Sequence, residues 1–256
     1  RYGGDEFVII LTREEGKVMT ELSERLRAVA DLVDDGMVVA DIGTDHGYIP
    51  IALVQEGRCP RAVAMDINIG PLDRARAHIQ AAELSEKIDT RRSDGMKELK
   101  AEEADCAIIA GMGGALTIKI LEESSATARS LKALILQPQS ELYKVREYLA
   151  EQGYEILAED MVLEEGKFYP IMKVCPGSPY TLTKEEACYG KELLSQRHPV
   201  LQSFLHRELD MKRKVLRELD DKSGDHICQR REALQKETAC VEGILGQWES
   251  GGKQKK

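Results

Sequence analysis

Val39-Ala40-Asp41-Ile42-Gly43-Thr44-Asp45-His46-Gly47 carries, in its last seven residues, two carboxylates, an imidazole and two glycines. It follows an apolar run and precedes a helical pattern, the setting a nucleotide-binding glycine loop requires. Gly43 suits the tight turn, and Gly47 would let the helix pack closely on the strand. A dinucleotide site needs a further glycine between them, so that backbone can approach a pyrophosphate. Here Asp45 stands in that place, and its carboxylate would repel phosphate. The loop therefore suits a ligand without phosphate and with a cationic end. Two more acids close later apolar runs. Asp66, followed by Ile67, comes 25 residues after Asp41, and Asp94-Gly95 follows Ile88–Arg91.

S-adenosylmethionine meets these conditions, having a sulfonium, an ammonium and no phosphate. The pattern Asp-x-Gly-x-x-x-Gly resembles motif I of the class I methyltransferases, and that resemblance implies that Asp66 accepts from both ribose hydroxyls and Asp94 from the adenine amino group. The cofactor is therefore expected against Asp41, Gly43, Thr44, Asp45, Gly47, Asp66, Ile67, Asp94, Gly95, Ala110, Gly111 and Met112. The fourth apolar run ends Ile108-Ile109-Ala110-Gly111-Met112-Gly113-Gly114. Many amine-methylating enzymes show Asn/Asp-Pro-Pro-aromatic there, so its absence disfavours an exocyclic adenine amine as the target. Three glycines in four residues indicate backbone that lines a flat substrate or the cofactor.

These residues need a frame to hold them. Apolar runs at Met37–Ile42, Ala62–Met65, Ile88–Arg91, Cys106–Ala110 and Ala133–Gln137 alternate with helical patterns at Tyr48–Gln55, Leu72–Ala82, Ala115–Glu123 and Glu141–Gln152. Such alternation implies an α/β fold with a parallel sheet covered on both faces. Tyr154–Leu163 and Phe168–Val174 read as a hairpin closing one edge. A helix is expected from Thr20 to Asp34, capped by Thr20 or Ser23. Pro176, Gly177 and Pro179 mark a linker, beyond which Thr183…Glu186 forms a capping box. Leu205, Leu209, Leu216 and Leu219 then share one helical face, and Ile227, Leu234, Val241, Leu245 and Trp248 another. The expectation is an antiparallel, coiled-coil-like helical hairpin.

Four stretches in this order, Leu22-Ser23-Glu24-Arg25-Leu26, Ala40–His46, Ala110–Gly114 and Leu134-Ile135-Leu136-Gln137-Pro138, resemble the TrmK family over roughly residues 20–250. Members of that family are bacterial tRNA methyltransferases acting on N1 of adenine 22. Gln139 departs from the pattern, where a residue such as Asn is expected. The resemblance implies a Rossmann-like class I fold with a mostly parallel seven-stranded sheet and a C-terminal helical hairpin. It implies tRNA as partner, a cytoplasmic location, and no membrane or obligate protein partner. Asp45, His46 and Gln137 are expected to orient the adenine, with loop-fixing equally open for His46. Gly113, Gly114, Pro138 and Arg25 are expected at the substrate, and Arg207, Lys212, Arg213 and Arg217 at tRNA phosphates.

Composition agrees with a globular chain. Of 256 residues, 42% are hydrophobic and 32% charged, and no apolar run approaches the ~20 residues of a membrane span. No signal-peptide pattern opens the sequence. Six cysteines without a CxxC pair suggest neither a zinc site nor a disulfide framework, and no metal site is indicated. The net charge of −9 argues against nucleic acid, but it is uneven. Residues 181–256 hold 15 Lys and Arg against 13 Asp and Glu, leaving that third the only part disposed towards phosphates.

Arg1-Tyr2-Gly3-Gly4-Asp5-Glu6-Phe7 resembles the signature of the GGDEF family, the diguanylate cyclases. A cyclase needs a whole α/β domain around that turn, whereas here only Phe7–Leu11 continues the match. An inert fragment over residues 1–17 is expected, from a truncated or fused reading frame with Met19 a plausible start. Residues 18–178 are then expected to form the methyltransferase domain and residues 179–256 the hairpin domain. A class I methyltransferase with another target and a non-catalytic cofactor-binding RNA module remain as alternatives, and a dehydrogenase is disfavoured by Asp45.

Overall fold

The structure, a computed structural model, describes residues 11–14, 17–220 and 223–252. The Gly3-Gly4-Asp5-Glu6 motif and most of Phe7–Leu11 lie outside them. Strands β1 (Leu11–Glu14) and β2 (Lys17–Thr20) pair antiparallel, with Thr12 opposite Met19. The expected turn at Thr12–Lys17 and the boundary at residue 17 therefore fall inside a hairpin. Helix α1 (Glu24–Asp31) starts after Thr20, which belongs to β2. Ser23 caps it, its hydroxyl accepting from the Leu26 N–H at 3.4 Å.

Strand–helix alternation follows as expected: β3 (Val39–Ile42), α2 (Tyr48–Gln55), β4 (Ala62–Asp66), α3 (Ile69–Ala81), β5 (Ile88–Arg92), β6 (Cys106–Met112), α4 (Gly114–Glu123), α5 (Ser125–Ser130), β7 (Ala133–Pro138) and α6 (Leu142–Glu151). The edge hairpin is β8 (Tyr154–Glu164) and β9 (Lys167–Pro176). Seven strands form one sheet in the order β5-β4-β3-β6-β7-β9-β8, parallel from β5 to β7 and antiparallel beyond. Alternate residues feed two cores. Val39, Ile108 and Ile135 pack with Ile49, Leu53 and Ala75 of α2 and α3. Ala40, Ile42 and Ile109 pack with Ile120, Leu121 and Leu149 of α4 and α6. Strand order reverses between β3 and β6, and such a switch point opens a crevice at the carboxyl ends of the strands.

Arg146 of α6 is fully buried, as is its partner Glu159 of β8, at 2.8 Å. The same guanidinium donates to the carbonyls of Ala187 and Cys188, at 3.0 and 3.2 Å. Ala187 and Cys188 lie in the short helix α7 (Lys184–Tyr189), whose capping box forms through Thr183 and Glu186. The chain divides into two compact units between Cys188 and Tyr189, ten residues beyond the boundary expected at 178/179. The Arg146 bonds give the reason: residues after the linker are fastened to the sheet unit.

The second unit contains α8 (Lys191–Ser195), α9 (Pro199–Asp220) and α10 (Asp225–Gly252). Leu201, Leu205 and Leu209 of α9 and Leu234, Val241 and Leu245 of α10 are buried, whereas Leu216 and Leu219 near the turn are only partly so. Bonds from Arg197 to the Trp248 carbonyl and from Arg213 to Glu242 run the two helices antiparallel. Among the described residues, no helix is long and apolar enough to cross a membrane.

Removing one member of a buried ion pair strands the other. Arg146→Met is expected to lower stability by about 3–5 kcal/mol, read from urea unfolding. Joint replacement of Arg146 and Glu159 by apolar residues should cost less than that.

Candidate active site

The loop after β3 is hooked onto the end of β4. The N–H groups of Gly43 and Thr44 both donate to the Met65 carbonyl, at 2.7 and 2.9 Å. Gly43 has φ +77°, and the space a Cβ would need there is taken by the Met112 methyl group. The φ requires glycine, and a side chain there would displace the Met112 methyl. Gly47, at φ +72°, approaches Ala75 of α3, where an added Cβ would lie 3.4 Å from that side chain. Its small size thus serves helix–helix contact, not the helix–strand contact expected.

Asp41 is buried, and burial pushes its carboxyl up to about 6; the Thr44 hydroxyl pulls the other way and the nearby Asp66 charge adds to the rise. Asp66 is likewise raised, chiefly by burial, with its carboxylate accepting from the Asn68 N–H at 2.6 Å. Beside it Ile67 is 50% exposed, and Ile69 is exposed too. Asp94 is exposed and its carboxyl is held below the usual range by Lys97. Gly95, at φ +62°, sits against Ile120. Two acids with raised carboxyls and an open apolar surface fit a ligand with a cationic end, a ribose and a flat ring. They do not fit a pyrophosphate. The donor set therefore suits S-adenosylmethionine.

Asp45 and His46 make contacts within their own loop and to α3. The Asp45 carboxylate pairs with Arg74 of α3 and lies 3.4 Å from His46 Nε2. The His46 ring stacks on Tyr48 and His78, with centroids 4.9 and 5.3 Å away, and its carbonyl meets His78 Nδ1 at 3.0 Å. Burial lowers the His46 pKa, against the raising effect of Asp45. These contacts fix the loop to α3, the second of the roles open for His46. The negative charge of Asp45 is already answered by Arg74.

On the other side of the switch point, the loops after β6 and β7 are bonded together. Gln139 N–H donates to the Met112 carbonyl (2.8 Å), Gly114 N–H to Ser140 Oγ (3.2 Å) and Gly111 N–H to Gln137 Oε1 (3.1 Å). Gly114 is itself buried: an added Cβ would strike the Ser140 carbonyl and come within 3.0 Å of Val145. Loop packing thus requires glycine at position 114. Gln137 is 0% exposed and Pro138 is buried, so neither side chain meets a base in this arrangement. Arg25, at 4% exposure, is likewise out of reach. What remains open on this rim is Gly111 and Gly113, with Met112 half-buried and Ala110 beneath them.

In the helical hairpin, Lys212 pairs with Glu208 and Glu237, and Arg213 with Glu242 at 2.7 Å. Neighbouring carboxylates therefore hold Lys212 and Arg213, both expected at phosphates. Arg207 and Arg217 lie on the same helix and are exposed. Several participants were not visible beforehand: Arg74, His78, Glu164 and Tyr169 lie in unremarkable helical or hairpin sequence, and no spacing signals them.

A methyltransferase-domain family model matches residues 22–172, which spans both rims of this crevice. The tRNA (adenine(22)-N(1))-methyltransferase of Bacillus subtilis is 38% identical over 152 residues, 59% of this chain and 64% of that protein. The crystal structure of B. subtilis TrmK, an M1A22 tRNA methyltransferase, superposes with a TM-score of 0.77 at 28% identity, covering 88% of this chain and 99% of that one. The chain belongs to the TrmK family. TrmK of M. capricolum, solved with S-adenosyl-homocysteine, also matches, with a TM-score of 0.75, 25% identity and coverage of 88% and 98%. The chain thus spans nearly the whole of these TrmK structures but just under two thirds of the B. subtilis protein's length.

The raised Asp41 carboxyl has two measurable effects. Its neutral form is favoured by folding, so stability is highest below the ordinary value of 3.8 and falls as pH rises through about 6, by up to about 3 kcal/mol. Asp41→Asn should melt above wild type at pH 7.5, the gap closing towards pH 4. A cationic ligand needs the ionised form, so S-adenosylmethionine should bind about tenfold tighter at pH 7 than at pH 5. Calorimetry of Asp41→Asn should show no such trend.

Proposed function

We propose that this chain transfers the methyl group of S-adenosylmethionine to N1 of adenine 22 in tRNA. One observation carries the reading. The stretches shared with the TrmK pattern, Asp41–His46 and Ala110–Gly114, stand at the carboxyl ends of β3 and β6, on either side of the switch point.

S-adenosylmethionine, when bound, supplies an electrophilic methyl group on sulfur. In this reading Asp66 accepts from the ribose hydroxyls, Ile67 covers the adenine ring, and Asp94 accepts from its amino group. Asp41, beneath the turn at Gly43 and Thr44, provides negative charge for the cationic end. The open backbone of Gly111 and Gly113 faces the target base. N1 of adenine has a free ring lone pair, so no general base is required. Alignment of the two partners is the main task, and it can supply about 7–11 kcal/mol. The base turns cationic on methylation, and an electronegative pocket favours that change.

N1 lies on the Watson–Crick edge, so a paired or stacked adenine must be extruded, at a cost of a few kcal/mol. The tRNA must be held meanwhile. Cations of α9 and α10, among them Arg207, Lys214, Arg217 and Arg230, are assigned that task, and a cytoplasmic location follows from the substrate. Lys212 and Arg213 are left out because carboxylates hold them.

Incubation of bulk tRNA with labelled S-adenosylmethionine should yield 1-methyladenosine at position 22, and a transcript with guanine there should take up no label. Label on another base would overturn the assignment. The double variant Lys214→Glu/Arg217→Glu should weaken tRNA binding at least tenfold and flatten its salt dependence by roughly 1.5 in log–log slope. Its affinity for S-adenosylmethionine should stay within twofold of wild type.

A further inference from the structure

Arg25 puts a permanent positive charge in a nearly closed environment, at the end of the sheet where the substrate loop lies. Its guanidinium donates to Gln137 Oε1 at 3.2 Å, lies 3.9 Å from Glu164 Oε2 and sits over the Tyr169 ring at 5.2 Å. Its backbone N–H donates to the other Glu164 oxygen at 3.1 Å. One side chain of α1 thereby joins the ends of β7, β8 and β9.

We infer that Arg25 is a positioning residue for methyl transfer: it fixes the Gln137 amide, which holds the Gly111 N–H and so the shape of the loop at the target base. This rests on the methyltransferase reading above.

The orientation of Gln137 follows from its partners. Arg25 and the Gly111 N–H are both donors, so the amide must turn its oxygen to them. Its Nε2 is then buried without a hydrogen-bond partner among the described residues. Such an orphan is destabilising, a penalty that an apolar residue in this strand would avoid. What the arrangement secures is Gly111, whose φ of +77° sets the path of the exposed loop. An added Cβ at Gly111 would lie 3.7 Å from the Arg25 guanidinium, so the loop is seated on that group. Lysine is no substitute, because a compact ammonium cannot span Gln137 and Glu164 while stacking on Tyr169.

The test uses the full chain with Arg25→Lys, Arg25→Met, Gln137→Met and the double variant Arg25→Met/Gln137→Met. Turnover on tRNA should fall about 100-fold in each single variant, the loss a misplacement near 1 Å can cause. The Kd for S-adenosylmethionine should stay within threefold. Hydrogen exchange at the Gly111 amide should speed at least tenfold, with amides of β3 and β4 unchanged. The double variant should lose no more than the worse single, as expected of residues acting in series. Unchanged exchange at Gly111, retained turnover, losses that multiply, or parallel falls in cofactor affinity and melting temperature would each overturn the inference. Should Arg25→Met fail to fold, Arg25→Lys carries the comparison. If the wild-type chain methylates no tRNA, the substrate assignment fails, while exchange at Gly111 still decides the relay.

Discussion

The two hydrogen bonds that Gly43 and Thr44 donate to the Met65 carbonyl hold the cofactor side of the molecule together. They clamp the end of β3 to the end of β4 and bring Asp41 near Asp66, whose charge adds to the rise in the Asp41 pKa. Like charges at close range are unfavourable in an empty crevice, and burial adds to the cost. A cation that enters relieves both effects at once. The same arrangement that makes the site unfavourable on its own therefore makes it selective for a positively charged visitor.

The opposite rim is built on another principle. There the backbone of Gly111 and Gly113 is exposed and the residues that shape it are hidden, since Gln137, Pro138 and Gly114 are all buried. Bonds from the loop after β7 fix the loop after β6 from below. A flat base can then approach a surface with few side chains in the way. Between the two rims, the Met112 thioether rests on Gly43 and links them by direct contact.

Much of this was legible beforehand because it is local. Apolar runs of four to seven residues, punctuated by glycine and acid, specify strands and the turns that end them, so the order of β3 to β9 and the acids at Asp41, Asp66 and Asp94 could be read directly. Partnership across the chain was not legible. The pairing of Asp45 with Arg74 spans 29 residues, and nothing in the helix of Arg74 marks it as the counter-ion. Gln137 and Arg25 were read as substrate contacts from a shared pattern, which records that a residue matters without recording how deep it lies. The three glycines at Gly111, Gly113 and Gly114 looked alike in sequence, yet one is needed for its φ and another for packing. A charge count treats each hairpin cation singly, whereas pairing with Glu237 and Glu242 depends on the register of two helices.

Arg146 gives the junction at Cys188 a meaning for protein engineering. A chimera that exchanges helical hairpins between relatives would most naturally be spliced at the proline-rich segment Pro176–Pro179. That cut would hand the carbonyl acceptors of a buried guanidinium to the other relative's chain, so donor and acceptors would come from different proteins. Splicing after Cys188 keeps those acceptors with their donor, so the modular seam of this architecture lies inside a helix and not in the linker that advertises itself.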